Sequence, residues 1–448
     1  MRSPRPLPGR AIVTALLLIT TAMLAGCSDG DDSPSSDGPG EAVVRVPQDV
    51  PSLKAAVDEV AEGGLILASP GTYEESVTID KADVTLRGTD RNATIIDGQG
   101  RRPFGVVAIA DGVTVENLTV RSHTFYGVLV TGLHDEDGPS AHGVDGYTRL
   151  DPDEFPPVER FRISHVTASN NGLYGIYAFD ANNGVITQSY ASGSADSGFY
   201  VGQCRQCNIE VSGNVAERNA IGFENANASD TVAVVGNRFT GNRIGATFIS
   251  NYQEAFTPQR ANVIAGNLIA DNTSADSPAH GEGGFGIGVG ISGGQDNLLE
   301  ANLITGHPVA GIQVTNTEDI PASGNRIVGN RFDGNRVDLA DIAAARTPSA
   351  GNCLADNRLD VLLPATLEQS GCPGDYGQGS ADPAELPSVQ APAGLSFLKV
   401  SEPPEQPSMS AAEVERTPER LPAVWTIPTA ADYRLPSAKL LADWASGG

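Results

Sequence analysis

Three acidic residues in the middle of the chain, Asp180, Asp196 and Glu224, are the candidates for acid–base chemistry. Hydrolysis of a glycosidic bond by paired carboxyl groups needs two acids about 5–9.5 Å apart. Asp180 with Asp196, or Asp196 with Glu224, would meet that requirement if the chain returned to one face at a short, regular interval. We therefore expect any catalytic centre at these three residues, and their spacing leaves open whether the protein is an enzyme.

Aromatic residues accompany these acids along the chain. The side chains expected to contact a substrate are Tyr126, Tyr174, Tyr177, Phe179, Tyr200 and Gln203. Aromatic rings stack on pyranose rings and carboxylates bond sugar hydroxyls, so an exposed aromatic surface beside acids would bind a saccharide. The alternative is that long loops cover the tyrosines and form a satellite core.

A repeat supplies the regular interval. Gly175, Gly198, Gly222 and Gly245 each precede a short β-prone run and lie 23 or 24 residues apart. Apolar residues alternate with period two, so the repeat predicts a solenoid of strands and not of helices. Alternation places one set of side chains in an outward column, namely Leu129, Tyr177, Tyr200, Glu224 and Thr247.

Asparagines recur with a step of five residues. The series comprises Asn214/Asn219, Asn237/Asn242, Asn262/Asn267/Asn272, Asn297/Asn302 continuing to His307, Asn325/Asn330/Asn335 and Asn352/Asn357. In a parallel coil, equivalent turn positions stack about 4.8 Å apart, and amide side chains can hydrogen-bond along such a stack. We interpret the series as structural ladders without a catalytic role.

Two segments, 134–157 and 251–260, interrupt the repeat, and loops on a rigid scaffold often carry specificity. The first contains seven acids, namely Asp135, Glu136, Asp137, Asp145, Asp151, Asp153 and Glu154. Such a cluster could hold Ca²⁺, although its spacing matches no EF-hand loop, and a solvated acidic loop is the alternative. No other cofactor or metal is expected.

The opening of the chain, from Val43 to Gly100, resembles that of right-handed parallel β-helix proteins of the pectin-lyase-like superfamily. The resemblance is carried by Val46-Pro47, a helix capped by Ser52 and ending at Gly63-Gly64, Pro70-Gly71-Thr72-Tyr73-Glu74-Glu75 and Leu86-Arg87-Gly88. The repeats that follow, through about Asp360, resemble the carbohydrate-binding and sugar-hydrolase type. The resemblance implies an all-β, right-handed parallel β-helix over residues 43–372 with an N-terminal capping helix.

For activity the resemblance implies several classes. Lyases and epimerases of this fold remove a proton beside a uronate carboxylate with a basic residue, and Arg162, His165 and Arg205 are expected near the aromatic column. The tight motifs of polygalacturonases, pectin methylesterases and pectate lyases do not occur in the sequence. NosD-type proteins share the opening, which implies a non-enzymatic accessory or scaffold role as the alternative. Copper ligation would require His, Met or Cys ligands, and the six histidines are scattered.

The N-terminus predicts export and lipidation. Residues 1–27 combine a basic leader with an apolar run too short to span comfortably, and Leu24-Ala25-Gly26-Cys27 resembles a bacterial lipobox. Cys27 would carry the lipid, residues 28–42 would form a flexible tether, and two acyl chains would hold the protein at the bacterial cell envelope, facing the extracytoplasmic side. The alternative is an ordinary secretory signal.

Charge and cysteine content agree with an exported protein. The formal charge is −26, and removal of the leader with its three arginines leaves −29, which argues against nucleic acid or an anionic lipid surface as the main partner. Outside the cytoplasm, Cys204 with Cys207 and Cys353 with Cys372 are expected to form disulfides.

Residues 373–448 are rich in proline and lack the repeat, yet they contain both tryptophans, Trp425 and Trp444. A wholly disordered tail seldom does so, so we expect 420–445 to dock on the solenoid, with capping of its last coil as one arrangement. The whole sequence predicts an envelope lipoprotein that recognises, and could process, an extracellular polysaccharide. If it is an enzyme, it is a polysaccharide lyase, an epimerase or a glycoside hydrolase.

Overall fold

The computed structural model describes residues 40–135, 138–139, 150–377, 386–423 and 426–446. Short strands of two to nine residues follow one another along the chain, each pairing in parallel with the strand one coil earlier and one coil later. Three ladders of such pairs run side by side, so each coil contributes a strand to three faces. The fold is a parallel β-helix, as the repeat predicts.

The bounds of the strands follow the three faces. The first face contains Glu41–Val46, Val60–Ala68, Thr85–Gly88, Thr114–Arg121, Arg162–Ser169, Val185–Thr187, Ile209–Ser212, Val232–Val235, Val263–Ala265, Leu298–Glu300, Arg326–Val328 and Cys353–Ala355. The second contains Gly71–Tyr73, Thr94–Asp97, Tyr190–Ser192, Val215–Glu217, Arg238–Thr240, Leu268–Ala270, Leu303–Thr305 and Arg331–Asp333, joined by the C-terminal halves of Thr114–Arg121 and Arg162–Ser169. The third contains Val77–Ile79, Phe104–Ala108, Tyr126–Thr131, Ile176–Phe179, Ser197–Arg205, Ile221–Ser229, Ile244–Ile249, Ile287–Ser292, Ala310–Thr315, Leu339–Asp341 and Leu362–Leu363.

The remaining elements are short. Two-residue strands pair His134–Asp135 with Gly138–Pro139 and Val158–Glu159 with Ala181–Asn182. The α-helices are Leu53–Glu59 and Ala411–Val414, and the 3₁₀ turns are Phe397–Lys399, Ala430–Asp432 and Ala442–Trp444. Within the described part of the chain, no helix is long and apolar enough to cross a membrane.

The N-terminal helix covers the first coil. Ser52 caps it by accepting a hydrogen bond from the Ala55 N–H, and Leu53, Ala56 and Val57 are buried against the core. The prediction that Gly63-Gly64 ends the helix is wrong. The helix ends at Glu59, and both glycines lie inside the strand Val60–Ala68, because the chain must already pair with the first strand there.

The asparagine step forms three buried ladders at the corners of the coils. Between the first and second faces, Asn214, Asn237, Asn267, Asn302, Asn330 and Asn357 are joined by amide bonds of 2.9–3.0 Å. A second ladder runs from Asn219 to Asn335 with His307 in the place of one asparagine, and a third links Asn297, Asn325 and Asn352. The structural interpretation of the step is confirmed.

The regular spacing of the glycines has a steric cause. A Cβ at Gly175 would lie 2.5 Å from the carbonyl oxygen of Gly198, and a Cβ at Gly222 would lie 2.5 Å from that of Gly245. These distances are far inside van der Waals contact, so only glycine fits where the second ladder passes into the third face.

A further long insertion interrupts the coils besides the two predicted segments. The structure adds residues 273–286 to the two predicted segments, since Asn272 and Gly288 occupy equivalent corner positions with this loop between them. In the uninterrupted coils the corresponding interval, Asn219 to Gly222, is three residues.

The C-terminal extension docks along the side of the solenoid. Arg87 Nη1 donates to the carbonyls of Val414 and Arg416 at 2.7 and 2.6 Å, and Asn170 Nδ2 donates to two further carbonyls of the extension. Trp444 packs near Tyr190. Docking of residues 426–445 is as expected, and these contacts lie on the first and second faces. Earlier in the extension, the Tyr376 hydroxyl donates to Asp341 at 2.9 Å, and Leu386 packs against Leu363 of the last coil. Trp425 lies outside the described residues.

Both expected disulfides are present. Cys204 pairs with Cys207 and Cys353 pairs with Cys372. The first closes a tight turn at the end of the third-face strand Ser197–Arg205.

The ladders predict a large effect from one amide. Asn267→Ala would remove the acceptor of the Asn237 backbone N–H, one of the two acceptors of the Asn237 side-chain amide and the donor to the Val234 carbonyl, so we expect the free energy of unfolding to fall by about 2–4 kcal/mol. Urea denaturation would measure this, with the exposed Gln253→Ala as the control amide. Equal stability of the two variants would contradict a stabilising role for the ladder.

Candidate functional site

The aromatic column is buried, so the expectation of an exposed aromatic groove is wrong. Tyr126, Tyr174, Tyr177, Phe179 and Tyr200 are each 7% exposed or less. They pack in a cluster of their own outside the coils, together with Leu133 and, from the inserted loops, Leu150 and Ala255. The alternative interpretation, a satellite core beneath long loops, is the observed one.

Gln203 is also buried and takes part in holding a loop in place. Its Oε1 accepts a hydrogen bond from the Ala255 N–H at 3.2 Å. Its expected contact with a substrate is therefore replaced by a contact with the loop 251–260. The physical reason is that an apolar outward column of this size would be costly to leave in water, and the insertions cover it.

The outward column itself is as predicted. Tyr177, Tyr200, Glu224 and Thr247 are in register on neighbouring strands of the third face. The register continues to Gly290 and Gln313. The column thus changes from aromatic to acidic to small and polar along the axis.

Asp196 and Glu224 are brought together by the register, as one of the two predicted pairings requires. The Ser197 hydroxyl oxygen lies 3.1 Å from Asp196 Oδ1 and 2.5 Å from Glu224 Oε2. A hydroxyl has one hydrogen to donate, so a contact with two carboxyl oxygens is satisfied when one carboxyl group is protonated and donates to the serine. The Ser197 hydroxyl thus links the two carboxyl groups.

The surroundings of Glu224 favour its protonated form. Burial raises the pKa of Glu224 well above its ordinary value, and the negative charge of Asp196 raises it further. Glu224 is 7% exposed, whereas the Asp196 side chain is 17% exposed. The site therefore contains a buried Glu224, whose surroundings favour its protonated form, beside a more accessible Asp196.

Asp180 does not join this pair. It lies at the register of Gln203, seven residues along the strand from Asp196, so the two are separated by roughly 20 Å. Burial raises the pKa of Asp180 to about 7, and its Oδ2 has no hydrogen-bond partner within the described residues. The predicted pairing of Asp180 with Asp196 is wrong because they lie at opposite ends of the third face.

Two loop residues that the sequence interpretation missed complete the site. His280, from the insertion 273–286, places Nε2 3.6 Å from Asp196 Oδ1, and hydrogen bonding to Asp196 raises the pKa of His280. Glu254, from the loop 251–260, is buried and its charge adds to the raised pKa of Glu224. The thirteen extra residues between Asn272 and Gly288 are the feature of the sequence that could have shown an inserted loop carrying His280.

The basic residues lie elsewhere than expected. Arg162 and His165 belong to a first- and second-face strand, on the side covered by the C-terminal extension, where they line a cavity of about 140 Å³. Arg205 is exposed at the far end of the third-face strand. The expectation that Arg162 and His165 lie near the aromatic column is wrong, because the column belongs to the third face.

Beyond Glu224 the third face forms a polar strip. Its outward residues are Thr247, Gly290, Ser292, Gln313 and Thr315, and all except Thr247 are half-buried. A Cβ at Gly290 would meet only the Thr247 methyl group, at 3.6 Å, so the space above it is open. Tyr252, which is 44% exposed, stands beside the strip with its hydroxyl bonded to Asp319.

No group of three or more His, Cys, Asp or Glu side chains is arranged for a metal ion in the ranges the structure describes. Of the acidic loop, Glu136, Asp137 and Asp145 lie outside those ranges. The Ca²⁺ site in residues 135–154 stays a prediction.

Comparison with known proteins agrees with the geometry. Residues 83–260 match the family model described as the right handed beta helix region. The fold is a right-handed parallel β-helix. No curated protein matches the chain in a sequence comparison.

Among solved structures, similar β-helices share low identity with this one. The A-modules of two mannuronan C-5 epimerases from Azotobacter vinelandii are 17% and 14% identical, with TM-scores of 0.46 and 0.42. The alignments cover 72% and 70% of this chain and 93% and 94% of the modules. A pectate lyase is 13% identical, with a TM-score of 0.40, over 68% of this chain and 71% of the lyase. Because these TM-scores are below 0.5, the functional assignment rests on the residues of this chain.

The carboxyl pair predicts a pH dependence of stability. The folded-state pKa of Glu224 lies above its unfolded value of 4.5, so the folded protein binds more protons than the unfolded chain above that pH, and stability falls as the pH rises. Glu224→Gln imitates the protonated form. We expect its melting temperature to exceed that of the wild type at about pH 8 and the gain to shrink towards pH 4.5.

Thermal melting across this pH range would measure the effect. Asp276→Asn, which changes an exposed acid on the loop 273–286, is the control and should follow the wild-type curve. A gain for Glu224→Gln that did not depend on pH would contradict the raised pKa.

Proposed function

We propose that this protein processes an extracellular polysaccharide by proton transfer at Asp196 and Glu224. The observation that carries the proposal is the carboxyl pair bridged by Ser197, with Glu224 protonated and Asp196 accessible. Two titratable groups whose surroundings separate their proton affinities are a common arrangement for an acid and a base.

The geometry favours proton abstraction over hydrolysis. Retaining glycosidases hold two carboxyl groups about 5 Å apart and inverting enzymes hold them farther apart, with the scissile bond between them. Here the Ser197 hydroxyl contacts both carboxyl groups and lies between them, so the two acids do not flank an open space for a scissile bond. The arrangement suits a lyase or an epimerase, in which a base removes a proton beside a uronate carboxylate.

Each residue of the site has a proposed role. Asp196 is the base, and Glu224 with Ser197 holds the second proton of the site. His280 is the cation, because its interaction with Asp196 favours the protonated ring, and it would face the substrate carboxylate. This assignment retains Asp196 and Glu224 from the sequence and leaves out Asp180.

The polar strip is the proposed binding surface for the sugar chain. Thr247 Oγ1 is buried without a hydrogen-bond partner in the described ranges, and Gln313 and Ser292 offer further polar groups along the same face. Tyr252 is an exposed ring at the edge of this strip and can stack on a pyranose. The strip leads directly to Glu224 through the shared register.

Activity assays with substituted proteins would test the proposal. Incubation with uronate and neutral polysaccharides should give absorbance at 235 nm for elimination or incorporation of solvent deuterium for epimerisation. Asp196→Asn and Glu224→Gln should each lower the rate at least about a hundredfold, since a positioned acid or base contributes that much or more. Tyr252→Ala should raise KM more than it lowers kcat.

Asp296→Asn is the matched control, because Asp296 is an exposed acid on another part of the solenoid. Its activity should equal that of the wild type. Reducing ends without either signal would mean hydrolysis and would refute proton abstraction. No turnover of any polysaccharide, with a co-purifying protein partner, would favour the scaffold alternative.

We also propose that the protein is anchored to the bacterial cell envelope through a lipid on Cys27, facing the extracytoplasmic side. The support is the lipobox-like Leu24-Ala25-Gly26-Cys27 and the polar segment 28–39 behind it, both outside the described residues. The predicted tether is two residues shorter at its end, since the first strand begins at Glu41. Cys27→Ser should abolish fatty-acid labelling and move the protein from the membrane fraction to the soluble fraction. Labelling that survives the substitution would refute the anchor.

A further inference from the structure

A second cleft lies at the opposite end of the third face from Asp196 and Glu224. It has a volume of about 260 Å³ and is lined by Arg205, Ser229, Phe256, Thr257, Pro258 and Arg260. The strand Ser197–Arg205 runs the length of the face, with Asp196 just before its first residue and Arg205 as its last. The cleft is therefore separate from the proposed active site.

The two arginines are placed by register. Arg205 pairs with Ser229, and Ser229 forms a bridge with Arg260, so the three residues lie in one column on successive coils. One strand spacing is about 4.8 Å, which separates the arginine Cα atoms by roughly 10 Å. Ser229 is small and forms the floor of the cleft, with an arginine on each side of it.

Arg205 and Arg260 are held in place by different interactions. The Cys204–Cys207 disulfide closes the turn that carries Arg205, which is exposed and forms no salt bridge within the described ranges. Arg260 Nη2 donates to Asp230 at 2.9 Å, which fixes the guanidinium group and leaves its other donors available. In a chain of formal charge −26, two arginines facing one small cleft are a local exception.

Phe256, which lines the cleft beside the two arginines, has a strained backbone. Phe256 has a positive φ of 61°, in the left-handed region that a bulky residue seldom adopts. It lines both this cleft and a neighbouring one of about 410 Å³ formed with Leu150, Asp151, Pro152 and Ala255. Strain of this kind persists only where the surrounding structure imposes it and is concentrated at binding sites.

We propose that the cleft between Arg205 and Arg260 is an oxyanion-binding site, which takes a carboxylate or sulfate group of a ligand against Phe256. Guanidinium groups bond planar and tetrahedral oxyanions through two parallel N–H donors, and a ring beside them would cover the apolar part of the same ligand. The site does not depend on the proposed activity, because none of its lining residues belongs to the carboxyl pair.

Calorimetric titration of the whole protein at low salt would test the site with three probes: inorganic sulfate, glucuronate and the neutral methyl glucoside. We expect both anions to bind and the neutral sugar not to bind. Glucuronate that binds more tightly than sulfate would identify a sugar acid as the ligand, whereas equal affinities would identify a plain oxyanion site. Binding should weaken at high salt.

Two substitutions and a control locate the binding. Arg205→Gln and Arg260→Gln should each weaken anion binding at least about tenfold, since each removes a charge-assisted pair of hydrogen bonds. Arg205 makes no salt bridge in the described ranges, so its substitution tests the site even if Arg260→Gln loosens the loop through Asp230. Arg346→Gln removes an exposed arginine outside the cleft and should leave binding unchanged.

The proposal is overturned if neither anion binds, if methyl glucoside binds as well as glucuronate, or if Arg205→Gln binds like the wild type.

Discussion

The structure depends on the stacking of identical corners at one strand spacing. Each coil turns three times, and at each turn buried backbone groups would be left without partners if the side chains did not supply them. The asparagines supply them, because one amide accepts from the coil before it and donates to the coil after it. The glycines follow from the same spacing, since a Cβ beside the second ladder would meet a carbonyl of the next coil. Corner chemistry, more than the apolar interior, fixes the register.

That register determines what can meet across coils. Ser197 bonds Glu224 because the two lie on adjacent third-face strands, and Asp196 reaches the same place from the preceding turn. The inserted loops start and end at ladder corners, so Glu254 and His280 are delivered to the same carboxyl pair from two directions. The C-terminal extension packs mainly on the first and second faces, and its residue Leu386 packs on the third face against Ala340, the register partner of Gln313.

The sequence predicts most of the fold because the periodic positions are each decided by local chemistry. Glycine where a Cβ clashes, asparagine where an amide must bridge, and alternation of apolar residues are visible without a structure. The outward column and the pairing of Asp196 with Glu224 follow from it directly. Two features could not be predicted from the repeat, namely the burial of Tyr177 and Tyr200 and the position of His280 beside Asp196. Both depend on how inserted loops fold back, and a loop without a repeat carries no periodic signal of its destination.

The burial of the tyrosines bears on the chemistry of the acids next to them. An aromatic cluster on one side of Glu224 and the inserted loops above it exclude water, and a carboxyl group in that position holds its proton. The Asp196 side chain is 17% exposed, so it is the acid that a ligand can reach. Covering the aromatic face thus removes it as a binding surface and at the same time contributes to the burial that raises the pKa of Glu224. The tyrosines that were expected to bind the substrate therefore serve instead to bury Glu224, while Asp196 remains more exposed.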